Sequence, residues 1–182
     1  MRDKVLAVDA TAHYRNLVEL GRAEFLSSAA PAALVRYRGG RGGMDGGATT
    51  LTLDQDAAET VEETLPHGKE YAIAEETELE IYPLTKKPGA SFPDRITIGR
   101  TPNNDIVIVD HSVSRFHAYL RMDGPSWVVA DAGSKNGSWL GSSTLEARKE
   151  KKVTSKNVVR IGDVDLTFFL ALDLFAALGG TR

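Results

Sequence analysis

Short β-rich runs from residue 78 onward predict an all-β fold, a sandwich or a barrel, for the second half of this chain. Turn signals separate the runs: Pro88-Gly89, Asp123-Gly124-Pro125, Asn136-Gly137 and Gly162-Asp163. No helix-length amphipathic segment falls between consecutive runs, which argues against βαβ units and a parallel sheet.

Upstream of the sandwich, residues 11–28 read as an amphipathic helix. Tyr14, Leu17, Val18, Gly21 and Phe25 share one stripe, while Arg15, Asn16, Glu19, Arg22 and Glu24 fall largely off it. Pro31 marks the far side, because the residue before a proline avoids helical geometry. Residues 33–38 are an expected strand. Residues 39–47 hold six glycines in nine positions and read as a flexible linker, since ordering them costs too much entropy. The Arg-Gly-Gly text there is a single copy without aromatic interleaving, so a linker is preferred to an RNA-binding tract. Residues 49–53 and 71–74 offer two further strands, with an acidic helix or loop at 54–64. Residues 1–76 are thus expected to be an N-terminal extension and 77–178 the sandwich domain.

Within that domain, strands are expected near 79–84, 95–98, 105–109, 118–122, 127–130, 139–140, 158–161 and 164–170. Residues 118–122 and 127–130 bracket a strong turn and form a hairpin, as do 158–161 and 164–170. Residues 142–155, rich in Lys and Arg, read as a solvated hairpin loop; attraction of acidic peptides is the alternative. Residues 172–178 form a brief closing helix.

Bulk properties remove several function classes. A chain of 182 residues has room for one domain with an appendage, or two small domains. It has no cysteine, which excludes disulfides, thiolate zinc sites and cysteine nucleophiles together. No apolar run approaches the ~20 residues of a membrane span. Asp9 cuts short the apolar stretch at the N-terminus, so a secretory signal is not expected and a cytoplasmic location is the default. The net charge of −3 argues against nucleic acid as a partner. His13, His67, His111 and His117 show no ligand spacing, and neither a Walker loop nor a dinucleotide fingerprint is present. Glu62-Glu63 and Glu75-Glu76 are adjacent pairs of a solvated face. No metal, no cofactor and no enzymatic activity are expected.

Three loop-sized clusters stand out: Ile98-Gly99-Arg100, then Ser114-Arg115-Phe116-His117, then Gly133-Ser134-Lys135-Asn136-Gly137-Ser138. Arg100 offers a planar cationic fork, Ser114 a hydroxyl, Arg115 and Lys135 further charge, and Asn136 an amide able to grip a peptide backbone. Cations and neutral donors gathered at one end of a sheet suit a dianionic phosphate on a peptide. In an acidic chain, such affinity must come from local placement.

These clusters, in this order and at these spacings, resemble the forkhead-associated (FHA) domain over roughly residues 77–170. The resemblance implies a β-sandwich of about eleven short strands that binds phosphothreonine peptides through loops at one end, without catalysis. It gives Arg100 the main phosphate contact, where bidentate geometry favours Arg over Lys. Ser114 matches the phosphate-binding serine. Asn136 would bond the backbone of the residue after the phosphothreonine. Lys135 and Ser134 become second-rank phosphate contacts, and Arg115 touches phosphate or selects downstream residues. Gly99, His117 and Gly137 take supporting roles, with the His117 ring holding the Ser114 loop. The plain alternatives are an Arg100 paired with Asp94 or Asp105 and a Ser114 bonded to its own turn. Ser138 and Gly141 depart from the threonine and asparagine usual at those positions.

The expected function is therefore a phosphothreonine-dependent adaptor, downstream of a Ser/Thr kinase of a bacterial type. Its partner is a phosphothreonine-containing protein or peptide, with no nucleic acid and no membrane insertion. Two alternatives remain: a structural subunit that binds no phosphate, and self-regulation through a phosphate on Thr49, Thr50, Thr52, Thr60 or Thr64.

Overall fold

The computed structural model describes residues 7–38 and 78–181. The glycine-rich stretch, the expected strands at 49–53 and 71–74, the acidic 54–64 segment and its threonines lie outside the described residues. None of the described helices is long and apolar enough to cross a membrane.

The run Ala32-Ala33-Leu34-Val35 is apolar at four successive positions, a pattern that suits a strand buried on both faces. It forms β1 (Ala32–Arg38), the second strand of a six-stranded sheet. The neighbours of β1 are β2 (Glu78–Pro83) and β11 (Val164–Leu170), both antiparallel to it. The sheet continues through β10 (Val158–Ile161), β7 (Ser138–Leu140) and β8 (Ser143–Thr144). The facing sheet has the order β4-β3-β5-β6-β9, built from β3 (Ile96–Gly99), β4 (Ile106–Val107), β5 (Ala118–Asp123), β6 (Ser126–Asp131) and β9 (Lys151–Val153). Only β3 and β4 pair in parallel among the described ladders. The expected sandwich of eleven short strands is present.

Alternation along the strands produces two cores. Leu34, Tyr82, Ile98, Leu120, Trp127, Val129, Ile161, Leu166 and Phe168 meet between the sheets, with the Trp127 and Phe168 rings 6.0 Å apart. Ala33, Val35, Ile81 and Phe169 point the other way, toward three helices packed on the outside of the six-stranded sheet. These are α1 (Ala7–Glu19), α2 (Arg22–Ser28) and α3 (Ala171–Ala177), which supply Tyr14, Leu17, Phe25, Leu174 and Phe175. Adjacent residues Phe168 and Phe169 thus belong to different cores, as a period of two requires.

Two sequence expectations are corrected here. The single helix over 11–28 is two helices, because Gly21 adopts φ 99°, outside the helical region, and turns the chain between them. The Lys- and Arg-rich 142–155 segment contains β8 and β9 rather than a plain loop. Its strands are two and three residues long, too short to show alternation, and are anchored by buried Leu145 and Val153.

α1 also closes an exposed edge. The Thr11 hydroxyl donates to the Leu79 carbonyl and accepts from the Ile81 N–H, both at 3.2 Å, along the free side of β2. An unpaired strand edge invites association with other chains, and this contact blunts it.

The helical layer predicts a large cost for one ring. Phe25 is fully buried, 5.7 Å from Tyr14 and 5.2 Å from Phe175. Phe25→Ala should lower unfolding free energy by about 3–5 kcal/mol in a urea titration.

Candidate functional site

β3 delivers Arg100 to one end of the sandwich. Gly99 precedes it because backbone packs where a side chain would begin: a Cβ there would lie 2.2 Å from the Arg115 carbonyl oxygen. Around this close approach, the Arg100 N–H donates to the Ser114 carbonyl at 2.9 Å and the His117 N–H donates to the Ile98 carbonyl at 2.8 Å. Buried Asn104 donates through Nδ2 to the Arg115 carbonyl at 2.7 Å, and the Thr101 hydroxyl donates to the same oxygen at 2.9 Å. The turn after β3 is thereby stitched to the loop before β5.

His117 joins that loop to the next one. Its Nδ1 accepts the Ser114 N–H at 2.9 Å, and its Nε2 lies 2.9 Å from the Gly137 carbonyl. An acceptor role for Nδ1 and a carbonyl opposite Nε2 fix the neutral, Nε2-protonated tautomer. Burial pushes the ring's pKa below its ordinary value, against opposing contributions from the Gly137 carbonyl and Asp131.

The third loop is organised by Asp131, the last residue of β6. Its carboxylate accepts the N–H groups of Gly133 and Ser134 at 2.7 and 2.8 Å, and the hydroxyls of Ser134 and Ser138 at 2.6 Å each. Burial alone would raise this carboxyl; the four donors outweigh it and hold it below the usual range. Ser134 is fully occupied, since its oxygen also accepts the Gly137 N–H at 2.9 Å. It faces the loop interior and does not line the basin formed by the other candidates.

That basin is open to solvent and lined by Arg100, Ser114, Arg115, Phe116, Lys135 and Asn136, among others. The structure therefore brings together five of the six sequence-selected contacts. The Lys135 N–H donates to Ser114 Oγ at 3.0 Å, which leaves the serine's own hydrogen uncommitted among the described residues. Asn136 Nδ2 donates to the Ser112 carbonyl at 2.7 Å, leaving Oδ1 as an acceptor. Arg100, Arg115 and Lys135 are exposed, and none forms an ion pair or side-chain hydrogen bond with a described residue. The two carboxylates named as alternative partners of Arg100 are engaged elsewhere. Asp94 holds Arg95 at 2.6 Å, and Asp105 holds Lys86 at 2.8 Å.

Sequence reasoning did not select Asp131, Asp110, Ser112, Asn104 or Thr101, which build the loops. Two left a signal. Asp131 before Gly133-Ser134, and Asp110 before Ser112, have the spacing at which an Asp side chain bonds the backbone two residues on. Asn104 left none, because its partner Arg115 is eleven residues away.

The FHA domain family model matches residues 96–162. The oxoglutarate dehydrogenase inhibitor of Corynebacterium diphtheriae is 39% identical over 72 residues, 40% of this chain and 48% of that protein. The FHA domain-containing protein FhaB of Mycobacterium tuberculosis is 42% identical over 67 residues, 37% of this chain and 42% of that protein. The matched region spans less than half the length of these curated relatives. A solved structure from an analysis of phosphothreonine-dependent FHA domain interactions aligns with a TM-score of 0.45 and 17% identity. It covers 76% of this chain and 96% of its own.

Two expectations follow from the geometry. Gly99→Ala should destabilise the fold by about 1–3 kcal/mol in chemical denaturation, because its neighbour is backbone that cannot step aside. Acid should also weaken the fold through His117. The unfolded ring takes up a proton near the ordinary histidine value of 6.5, and the folded ring does so only at lower pH. Stability is therefore full above 6.5 and declines as pH falls below it. Melting temperatures between pH 7.5 and 5 should fall in the native chain and show a shallower slope in His117→Asn.

Proposed function

We propose that this chain, which carries an FHA domain over residues 96–162, is a non-catalytic adaptor that binds phosphothreonine-containing proteins or peptides in Ser/Thr-kinase signalling. The observation that carries the proposal is the set of three cations, Arg100, Arg115 and Lys135, unpaired among the described residues around one open basin. The Ser114 hydroxyl and the Asn136 carboxamide border the same space. Unpaired cations beside neutral donors are the chemistry of a phosphoester recognition site, and nothing in the set activates a nucleophile. A relative named as an enzyme inhibitor supports a role exerted by binding.

In this reading Arg100 grips the phosphate through its planar fork, and Ser114 donates its free hydrogen to a phosphate oxygen. Asn136 Oδ1 accepts a backbone N–H from the residue following the phosphothreonine. Lys135 and Arg115 add charge from either flank. Ser134, His117, Gly99 and Gly137 hold the loops rather than the ligand. We assign the sandwich to residues 77–178 together with β1, with the first helices as an extension that covers its back, acting in the cytoplasm under an upstream Ser/Thr kinase.

Hydrogen bonds to charged groups contribute about 1.5–3 kcal/mol each, so three or four of them, less the cost of ordering a peptide, give micromolar affinity. Arg100→Ala should weaken phosphopeptide binding at least about tenfold in fluorescence anisotropy. Its unfolding free energy should stay within about 0.5 kcal/mol of the native chain, since the side chain is exposed and has no partner among the described residues. Equal affinity for phosphorylated and unphosphorylated peptides would refute the assignment.

A further inference from the structure

Beside the basin, the outer face of the five-stranded sheet carries an aromatic shelf. Phe116, half-buried and a lining residue of the basin, stacks on Phe92 with ring centroids 5.5 Å apart and planes 21° from parallel. The Arg95 guanidinium lies 5.5 Å from the Phe92 centroid and 4.6 Å from that of Tyr119. Phe92 is 46% exposed and adopts φ 59°, the left-handed region, although it has a bulky side chain and precedes Pro93. That backbone is costly for a phenylalanine, more so ahead of a proline, and the ring it holds in place remains half in water. Such strain at an exposed position marks a side chain presented rather than stored.

Charge separates the shelf from the basin. Around the rings, cations are neutralised: Arg95 pairs with Asp94 at 2.6 Å, and Arg121 with Glu150 at 2.5 Å. In the basin, Arg100, Arg115 and Lys135 are not paired with any described residue. One continuous surface thus runs from a zone that attracts a dianion to a zone that offers aromatic faces and no net attraction for an acid. Phe116 belongs to both.

We infer that the Phe92–Phe116 shelf is a specificity subsite that receives a nonpolar side chain of the bound phosphopeptide, within about four residues of the phosphothreonine. This rests on the phosphopeptide reading above and narrows it to ligands that pair phosphothreonine with a nearby Leu, Ile, Met or aromatic residue. An extended peptide advances about 3.3 Å per residue, and Phe116 already borders the basin, so the chain reaches the shelf within that span. A second copy of this chain seated on the rings is the competing occupant.

The test uses the full chain and phosphothreonine peptides in which each of the four positions on either side is set in turn to Leu, Ala or Asp. At one position or more, Leu should bind about five- to tenfold more tightly than Asp, as partial burial of one apolar side chain allows. Phe92→Gly removes the ring and suits the left-handed backbone, so it should keep the native fold by melting temperature while flattening that preference. Phe116→Ala should flatten it as well. Phosphorylation-dependent binding with no Leu preference at any position, or a preference that survives Phe92→Gly, overturns the subsite alone. Binding that ignores phosphorylation overturns the underlying reading with it. Concentration-dependent dimerisation of the free chain, abolished by Phe92→Gly, would assign the shelf to a second copy instead.

Discussion

One imidazole ring holds the candidate site together. His117 takes the Ser114 N–H on one nitrogen and faces the Gly137 carbonyl with the other, both at 2.9 Å. The two groups come from loops twenty-odd residues apart, and neither loop has regular structure of its own. A neutral ring with one donor and one acceptor satisfies both; a protonated ring has two donors and would set an N–H against an N–H. The ring is fully buried, so water cannot replace either bond cheaply. With the Lys135 N–H on Ser114 Oγ and the Asn136 amide on the Ser112 carbonyl, this bridge sets the relative position of Ser114 and Asn136.

The other support comes from outside the matched region. β1 sits between β2 and β11, and without it the six-stranded sheet would lose its continuity on that side. From β1, Arg36 reaches Glu80 at 3.8 Å and Asp110 at 3.7 Å. Asp110 accepts the Ser112 N–H and hydroxyl at 2.9 and 2.7 Å, and the Ser112 carbonyl holds Asn136. A run of contacts therefore links a strand near the start of the chain to a carboxamide at the mouth of the basin. The first helices cover the back of the same sheet, so the N-terminal residues contribute to the sandwich as well as extending it.

How much of this the sequence revealed depended on the range of the interaction. Hairpins with local turns, such as β5–β6 and β10–β11, were legible because glycine and proline mark a two-residue turn directly. Arg100, Ser114 and Asn136 were legible because their clusters recur in a known order, and their convergence follows from strand ends meeting on one side. The split of the first helix was less so: Gly21 lies on the apolar stripe and fits a continuous helix by periodicity, and only its φ reveals the break. β8 and β9 escaped notice because two or three residues of mostly polar sequence carry no period. Ser134 was expected at the phosphate and is held inward, a choice made by the buried Asp131 seven residues before Ser138. That carboxylate's donors are local, but the burial that makes it need four of them is set by tertiary packing.

Net charge conceals the site's character, and pairing restores it. The chain carries −3 overall, so at long range it repels an anion. Screening at physiological salt confines such fields to about 8 Å, so an arriving phosphate responds to the charges beside it. Most described cations near carboxylates are already spent: Arg38 on Glu80, Lys86 on Asp105, Arg95 on Asp94, Arg121 on Glu150 and Arg160 on Asp165. Three cations gathered without partners among the described residues repel one another, a cost that a dianion placed between them would reverse into attraction. Among the described residues, the cations at the basin are unpaired and those under the aromatic shelf are paired, so two neighbouring surfaces of one acidic chain differ in their local charge. Composition cannot encode that distinction; only the assignment of each carboxylate to a particular cation can.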